Sequence, residues 1–554
     1  MSLAKRSWLV FLIAAAVFYL YGLGHLPLVG PDEPRYAEVA REMYLRGDYV
    51  TPTLGGHTWF EKPALLYWMM IGGYRLFGVS EWAARLGPAI SGLLTIFLIY
   101  WMGRRSEHDA TEEDGTGRGL WSGVALASSA GLIAFSRAAS FDVVVTMTMT
   151  AALACFFVSE SESEDKRRRL LLAAFYAAVG VSLLAKGLVG IVVPFGVIGL
   201  YYLMRREWPR KAVILSGLWG IPLVLSVAAI WYGPVIARHG WTFVDEFFIQ
   251  HHFARFVSNK YRHPQPIYFY LPIMALLTLP WVAFLVAELI GARRWRWREK
   301  NVKSRLRVFA LAWLVVPVAF FSFSGSKLPG YVLPALPGAM LLAGERLRRF
   351  VRGAGGEGLM RATGTVLLTL ALGAVVYAVR TGEVTTACAL LIAAPLILAS
   401  IAAIALKGRR ALRAELVYSA MFIATALALN CVAGRIGQQY AVRDLMRLAD
   451  ARGYGSAPVF YMLEGERTAE FYAGGRLGYR PDGEPYRFDG AFEVADAARA
   501  KGGTALVLIP TIWERQLTGY AAIETEVIGR NGVLSLALIR VRQGGATVSA
   551  AGPN

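Results

Sequence analysis

The residues with chemistry to offer are concentrated near the N-terminus. They lie in Gly30-Pro31-Asp32-Glu33-Pro34-Arg35-Tyr36-Ala37-Glu38 and, beyond Asp48-Tyr49, in Gly55-Gly56-His57-Thr58-Trp59-Phe60-Glu61-Lys62-Pro63. Acids from two stretches, cations and aromatic rings share one loop that follows an apolar run. The mixture suits transfer of a sugar carried on a lipid phosphate. Such a reaction needs a cation against the phosphate leaving group and a carboxylate near the anomeric carbon, where positive charge develops. Lys62 and Arg35 can supply the cation, and Asp32 or Glu61 the carboxylate. Glu33, Tyr36 and Trp59 are candidates for contact with the sugar and lipid headgroup, since aromatic rings suit sugar faces and membrane interfaces alike. A plainer reading stands beside this one: Pro34 opens an amphipathic helix running to about Arg46, with Asp32 near its N-cap and Glu33 on its dipole.

Isolated ionisable residues elsewhere extend the set. Arg137 and Asp142 flank the turn Ala138-Ala139-Ser140-Phe141, Lys186 separates two apolar runs, and Lys327 sits in Ser324-Gly325-Ser326-Lys327-Leu328-Pro329-Gly330-Tyr331. Each alone could snorkel to the interface, but ionisable groups at membrane depth are costly and mark sites by default. Lys186 and Lys327 are therefore candidate phosphate ligands, and Arg137, Asp142 and Tyr331 candidate contacts for sugar or lipid. His251-His252-Phe253-Ala254-Arg255-Phe256 adds two imidazoles and, in Arg255, a further phosphate-binding cation. No cofactor is demanded by this chemistry. A divalent metal on Glu61 and Asp32 with His251 or His252 stays open, without the ligand spacing of a known site. Cys155, Cys388 and Cys431 show no disulfide framework and no zinc pattern in their spacing.

The elements that must position these residues follow from composition. Of 554 residues, 56% are hydrophobic and 18% charged, with mean hydropathy +0.44; a soluble domain carries about 25% charged residues. Apolar runs of membrane-spanning length recur between clusters of Arg and Lys. Thirteen candidate spans run from Trp8–Leu20, read as an uncleaved first helix, to Leu412–Leu429. The run from Pro63 to about Phe77 is short and suits an interfacial helix. If it does not cross, the basic clusters fall on one side: Lys5/Arg6, Arg104/Arg105/Arg118, Lys166–Arg169, Arg205–Lys211, Arg293–Arg307, Arg346–Arg361 and Lys407–Arg413. The positive-inside rule then predicts a cytoplasmic N-terminus and an outer C-terminus. The net charge of +19 is thereby explained by topology, and nucleic acid is not an expected partner; a monomer among membrane lipids is.

Two domains are expected: a transmembrane part over 1–430, with outer loops at 25–82 and 236–266, and an outer domain over 431–554. In the latter, strands at Pro458–Leu463, Ala505–Ile509 and Val533–Val541 alternate with helices at Tyr440–Arg452, Arg467–Tyr472 and Phe492–Lys501, predicting a small α/β domain.

The motifs Gly30-Pro31-Asp32-Glu33-Pro34-Arg35-Tyr36, Glu61-Lys62-Pro63-Ala64-Leu65-Leu66-Tyr67-Trp68, Val79-Ser80-Glu81-Trp82-Ala83-Ala84-Arg85-Leu86, Ser136-Arg137-Ala138-Ala139-Ser140-Phe141-Asp142, Ala185-Lys186-Gly187 and Ser326-Lys327-Leu328-Pro329-Gly330-Tyr331 together resemble the bacterial lipid A aminoarabinose transferases. That family belongs to the protein-mannosyltransferase-like GT-C membrane glycosyltransferases. The resemblance covers about residues 1–430. It departs at Ala64, where relatives commonly have a second proline. It implies a GT-C fold of thirteen membrane helices with a periplasmic α/β domain in the bacterial inner membrane. It also implies a donor, undecaprenyl phosphate carrying 4-amino-4-deoxy-L-arabinose, and an acceptor, a phosphate of lipid A, giving resistance to polymyxin. Asp32 would then orient the acceptor or stabilise charge on the sugar, Lys62 with Arg255 would hold the donor phosphate, and Glu61 would contact the sugar ammonium or a metal. Transfer of mannose or another sugar from a polyprenyl phosphate to protein Ser/Thr or to another lipid is the nearest alternative. A lipid or sugar transporter is a further one, disfavoured because the charges gather on one face and no inverted repeat is visible.

Overall fold

The computed structural model of the chain describes residues 3–106, 117–254, 265–439 and 441–542. They form two compact units. The first takes the chain up to His25, Gly47–Thr51 and Phe60–Val432; the second takes Leu26–Arg46, Pro52–Trp59 and the chain from Ala433 onward. The expected outer loop 25–82 is thus divided between them.

The first unit is helical. Among the described residues eight helices are long and apolar enough to cross a membrane, or nine if the pair Arg118–Ala127 and Ala130–Ser136, bent by 60°, is one span. The other apolar runs form shorter or broken helices. Trp8–Leu20 and Val189–Arg205 are short. The run over 267–290 divides into Tyr270–Leu277 and Val282–Gly291, around Pro280, whose ring cannot continue a helical hydrogen-bond ladder. The run at Val332 starts as the 3-10 turn Pro329–Ala335 and becomes α-helical at Leu336–Val351. Length alone would not have counted these as spans. Large apolar side chains such as Leu218, Leu225, Leu372, Leu391 and Leu398 face outward, as a lipid solvent requires. The chain is a multi-pass membrane protein.

The short run after Pro63 is a helix of 13 residues, Leu65–Phe77, too short to span. Ala64 is already in the right-handed helical region at φ −79, a value proline also adopts, so the helix starts as a proline would start it.

The second unit is built on a five-stranded mixed sheet. Its strands are β3 (Val459–Met462), β4 (Arg487–Phe488), β5 (Thr504–Pro510), β6 (Ile523–Arg530) and β7 (Leu534–Val541), in the order β4-β3-β5-β7-β6. The pairs β3/β4 and β3/β5 are parallel; β5/β7 and β6/β7 are antiparallel. Alternation along the strands gives two cores. Val459, Tyr461, Leu506, Leu508, Leu536 and Leu538 meet helix Arg443–Ala451 on one face, while Phe460, Met462, Val507, Ile509 and Ile539 meet helix Ala491–Ala500 on the other. The α/β expectation holds here. The strands missing from the sequence reading, β4 and β6, are edge strands. β6 pairs on one side only and intersperses Glu and Thr among its apolar residues, which erases a clean apolar signal. A two-stranded hairpin, β1 (Thr53–Leu54) with β2 (His57–Thr58), belongs to the same unit. Its turn, Gly55-Gly56, holds φ of +61 and +80, which favours glycine at both positions.

Candidate active site

Asp32, Glu33, Arg35, Tyr36 and Trp59 all fall in the second unit. Their helix is Glu33–Arg46, as the sequence predicts; Tyr36 N donates to the Asp32 carbonyl at 3.0 Å to open it. The Asp32 side chain is exposed. Glu33 is buried and accepts from Val29 N at 3.2 Å, so it closes the loop locally. Tyr36 is buried as well. Arg35 reaches Glu470 (Nε to Oε2, 3.4 Å) and lies over the Trp59 ring, 4.8 Å from its centroid. Its charge is answered within the unit, which argues against a free phosphate ligand there. Glu42 accepts from Gly55 N at 2.6 Å and Gly56 N at 3.2 Å, pinning the hairpin to the helix.

In the first unit, loop 47–51 is fastened to neighbouring elements. Asp48 Oδ1 accepts from Val50 N (2.9 Å), Thr51 N (3.3 Å) and Arg238 (2.8 Å). Trp231 Nε1 donates to the Val50 carbonyl and Trp68 Nε1 to the Tyr49 carbonyl, both at 2.8 Å. Thr51 Oγ1 and His239 Nε2 are 2.9 Å apart. Partial burial pushes the Asp48 carboxyl up, but the two backbone N–H groups and Arg238 outweigh it and hold the group below its ordinary range. Phe60 packs edge-on against His239 and Phe243, at 5.0 and 5.1 Å. The backbone entering Glu61-Lys62 is therefore anchored on helix Lys211–Val244.

Beyond that anchor lies a pocket lined by Glu61, Lys62, Pro63, Lys186, Val189, His251, Phe320, Phe321, Ser324 and Tyr331. Lys62 Nζ sits 2.9 Å from Glu61 Oε1. Lys186, the last residue of helix Asp165–Lys186, pairs with Asp142 in the first turn of helix Phe141–Ser161, and its ammonium lies 4.5 Å from the Tyr331 ring centroid. Gly330 packs so closely on Asp142 that a Cβ there would collide with the carboxylate. The Lys-Leu-Pro-Gly-Tyr motif thus buttresses the Lys186–Asp142 pair. The cavity is lined by two cations, the Glu61 carboxylate and three aromatic rings, with Asp142 paired to Lys186 behind it. It can hold an anionic group by charge and hydrogen bonding while its apolar wall takes a chain.

The pocket gathers Glu61, Lys62, Lys186, Tyr331 and His251 of the expected residues, with Asp142 behind Lys186. It does not gather others. Lys327 is buried and donates to the carbonyls of Ser324 (2.8 Å) and Gln265 (3.0 Å), so it shapes the loop below Tyr331. Arg137 donates to the carbonyls of Tyr21 (2.7 Å) and Phe18 and covers the Phe18 ring; it caps the C-terminal end of the first helix, as a cation favours. Arg85 does the same at Leu23, 2.7 Å away. Arg255 and the His252 side chain lie outside the described residues. Among the described residues no three His, Cys, Asp or Glu side chains gather to hold a metal, and Glu61 already faces a lysine. Phe320, Phe321 and Val189 were not anticipated; inside long apolar runs nothing distinguishes a pocket wall from a lipid-facing residue.

The site and its setting define a class: a membrane protein whose apolar helical bundle carries a cationic, aromatic-walled pocket. A family model described as dolichyl-phosphate-mannose-protein mannosyltransferase matches residues 6–294, more than half of the chain, and the chain belongs to that family. It is 33% identical over 371 residues to the undecaprenyl phosphate-alpha-4-amino-4-deoxy-L-arabinose arabinosyl transferase of Pseudomonas paraeruginosa, covering 66% of this chain and 64% of that protein. The Erwinia tasmaniensis protein of the same name is 32% identical over 358 residues, covering 64% and 61%. The chain thus spans under two thirds of the length of these curated relatives. The crystal structure of ArnT from Cupriavidus metallidurans bound to undecaprenyl phosphate superposes with a TM-score of 0.78 at 25% identity, covering 99% of both chains. The fold is the GT-C fold, with a C-terminal α/β unit, as the resemblance implied.

Proposed function

We propose that the protein transfers 4-amino-4-deoxy-L-arabinose from undecaprenyl phosphate to a phosphate of lipid A, in the bacterial inner membrane. The N-terminus is cytoplasmic in this reading, and the pocket and second unit are periplasmic. The observation that carries the reading is the pocket built from Glu61-Lys62, Lys186 and Tyr331, in a chain whose relatives bear the names just given.

In the reaction an acceptor phosphate oxygen forms a bond to the sugar's anomeric carbon. The bond from that carbon to the donor phosphate oxygen breaks, and undecaprenyl phosphate leaves with the electron pair. Lys62 and Lys186 receive the donor phosphate and take up the charge that grows on it, an interaction that strengthens toward the transition state. Glu61 holds Lys62 in place and faces the sugar's ammonium. The apolar wall of Phe320, Phe321 and Val189 takes the first isoprene units. An acceptor phosphate monoester loses its last proton near pH 6, so it reacts largely as a dianion and needs no strong base. Asp32, in the second unit, is assigned to orient the acceptor or to stabilise charge on the sugar. No metal is needed for any of these steps.

Purified protein in nanodiscs, given undecaprenyl phosphate-aminoarabinose and lipid A, tests the reading: lipid A gains one aminopentose, and Lys62→Ala abolishes the gain. No transfer to lipid A by active preparations would refute it. The family model favours a second reading, mannose transfer from a polyprenyl phosphate to protein hydroxyls; mannosylation of a Ser/Thr peptide under the same conditions would establish that one instead.

A further inference from the structure

Cys388 and Cys431, 43 residues apart, meet at one end of neighbouring membrane helices. Cys388 stands in the first turn of helix Thr386–Ala405, where its N–H donates to the Thr385 hydroxyl that caps the helix. Cys431 lies near the C-terminal end of helix Arg410–Gln439. Cys388 Sγ is 4.0 Å from the Cys431 carbonyl oxygen. Cys388 and Val432, the neighbour of Cys431, pack in one apolar cluster with Val375, Val384 and Ala389, which holds the helix ends together. Both thiols are partly exposed. Cys155, the third, lies in the interior of another helix, Phe141–Ser161.

The basic cluster Lys407–Arg413 lies at the opposite ends of these two helices, and Arg346–Arg361 at the start of the preceding helix, Glu357–Thr381. By the positive-inside rule, Cys388 and Cys431 are then at the outer end. Under the orientation proposed above, on which this inference rests, that end opens to an oxidising compartment, where facing thiols persist as a disulfide. Among the described residues no third ligating side chain joins them to make a metal site.

We propose that Cys388 and Cys431 form a disulfide in the working protein. The two S–H bonds and the S–S bond of a periplasmic disulfide oxidant break, one S–S bond forms between Cys388 and Cys431, and the two protons and two electrons pass to the oxidant, which leaves as its dithiol. The bond pins the last membrane helix to the preceding hairpin just ahead of Ala433, where the chain enters the second unit. Spacing alone could not reveal the pair; the return of the last helix beside Thr386–Ala405 creates it.

Cells are quenched with acid and N-ethylmaleimide before lysis. The purified protein is denatured, and its alkylatable thiols are counted by peptide mass mapping before and after reduction. One thiol, Cys155, is expected without reductant and three with it, and the 388–431 peptide pair should weigh two hydrogens less before reduction. In Cys388→Ser, Cys431 should become alkylatable without reductant. Three free thiols in the unreduced protein would overturn the proposal. A second arm tests the orientation separately, with Glu383→Cys in a Cys388→Ser/Cys431→Ser background and an impermeant maleimide on intact cells. Three free thiols with position 383 labelled refute the disulfide alone; three free thiols with position 383 protected refute the orientation and the disulfide together.

Discussion

Lys62 and Lys186 are the two cations that line the pocket, and each is already beside a carboxylate. The pairing fits a site that must wait for an anion: neither ammonium is left bare in a poorly hydrated setting, yet both acids are on the pocket side or just behind it. In the proposed reaction Lys62 carries a charge needed most as the donor phosphate departs, so Lys62→Ala should lower kcat by about 100-fold or more, the range for losing one such stabilising group, with little change in detergent-extracted yield. Lys186→Met strands Asp142 at 18% side-chain exposure and should reduce folded protein as well as activity. Adding Asp142→Leu should restore the yield, because removing both charges costs less than orphaning one, while activity stays lost. Asp32→Asn tells the acceptors apart. With a phosphate acceptor the loss should stay below the roughly 100-fold that removal of a general base costs; a steeper loss points to a hydroxyl acceptor. At this scale the residue types were legible in the sequence for Glu61, Lys62, Lys186 and Tyr331. Which cations were available was not. Arg35 is paired with Glu470, and Arg137 and Lys327 donate to backbone carbonyls distant in the chain; only the fold brings those partners in.

Among the elements, two short devices set the pocket. The 3-10 turn Pro329–Ala335 presses Gly330 onto Asp142, so Gly330→Ala should shift the Asp142–Lys186 pair and lower transfer at least tenfold, by analogy with other misplacements of charged groups at a site, while size-exclusion behaviour stays unchanged. The loop Gly47–Thr51 depends on an ionised Asp48. Its folded pKa lies below the ordinary carboxylate value near 3.9, so its contribution is present above that value and is lost as pH falls through the folded one. Normalised hydrogen exchange at Val50 and Thr51 should therefore hold steady down to about pH 4 and quicken below it; Asp48→Ala should quicken it at every pH. The elements themselves were largely readable: each apolar run is helical at least in part, and the alternation in the tail gave the central strands. Proline interruptions and the polar edge strand β6 were less so, because periodicity records burial, and an edge or a broken span buries too little.

For the molecule as a whole, the proposed orientation puts the pocket of the GT-C bundle and the α/β unit on the periplasmic side. The charge asymmetry of the loops implies that orientation, and a fusion after residue 431 should be active as alkaline phosphatase and dark as green fluorescent protein. The reverse would undo the periplasmic assignment. How the chain would divide was not legible: Leu26–Arg46 and Pro52–Trp59 join the C-terminal unit through contacts more than four hundred residues distant, such as Leu28 N to Tyr472 Oη at 2.7 Å. The proposed activity is defined by its product. Mass spectrometry of lipid A from a host lacking any aminoarabinose transferase but making the donor, with the wild-type chain or Lys62→Ala supplied, tests it most directly. Lipid A heavier by one aminopentose is expected with the wild-type chain, and unmodified lipid A with the variant. Unmodified lipid A in the presence of expressed, folded wild-type protein would contradict it.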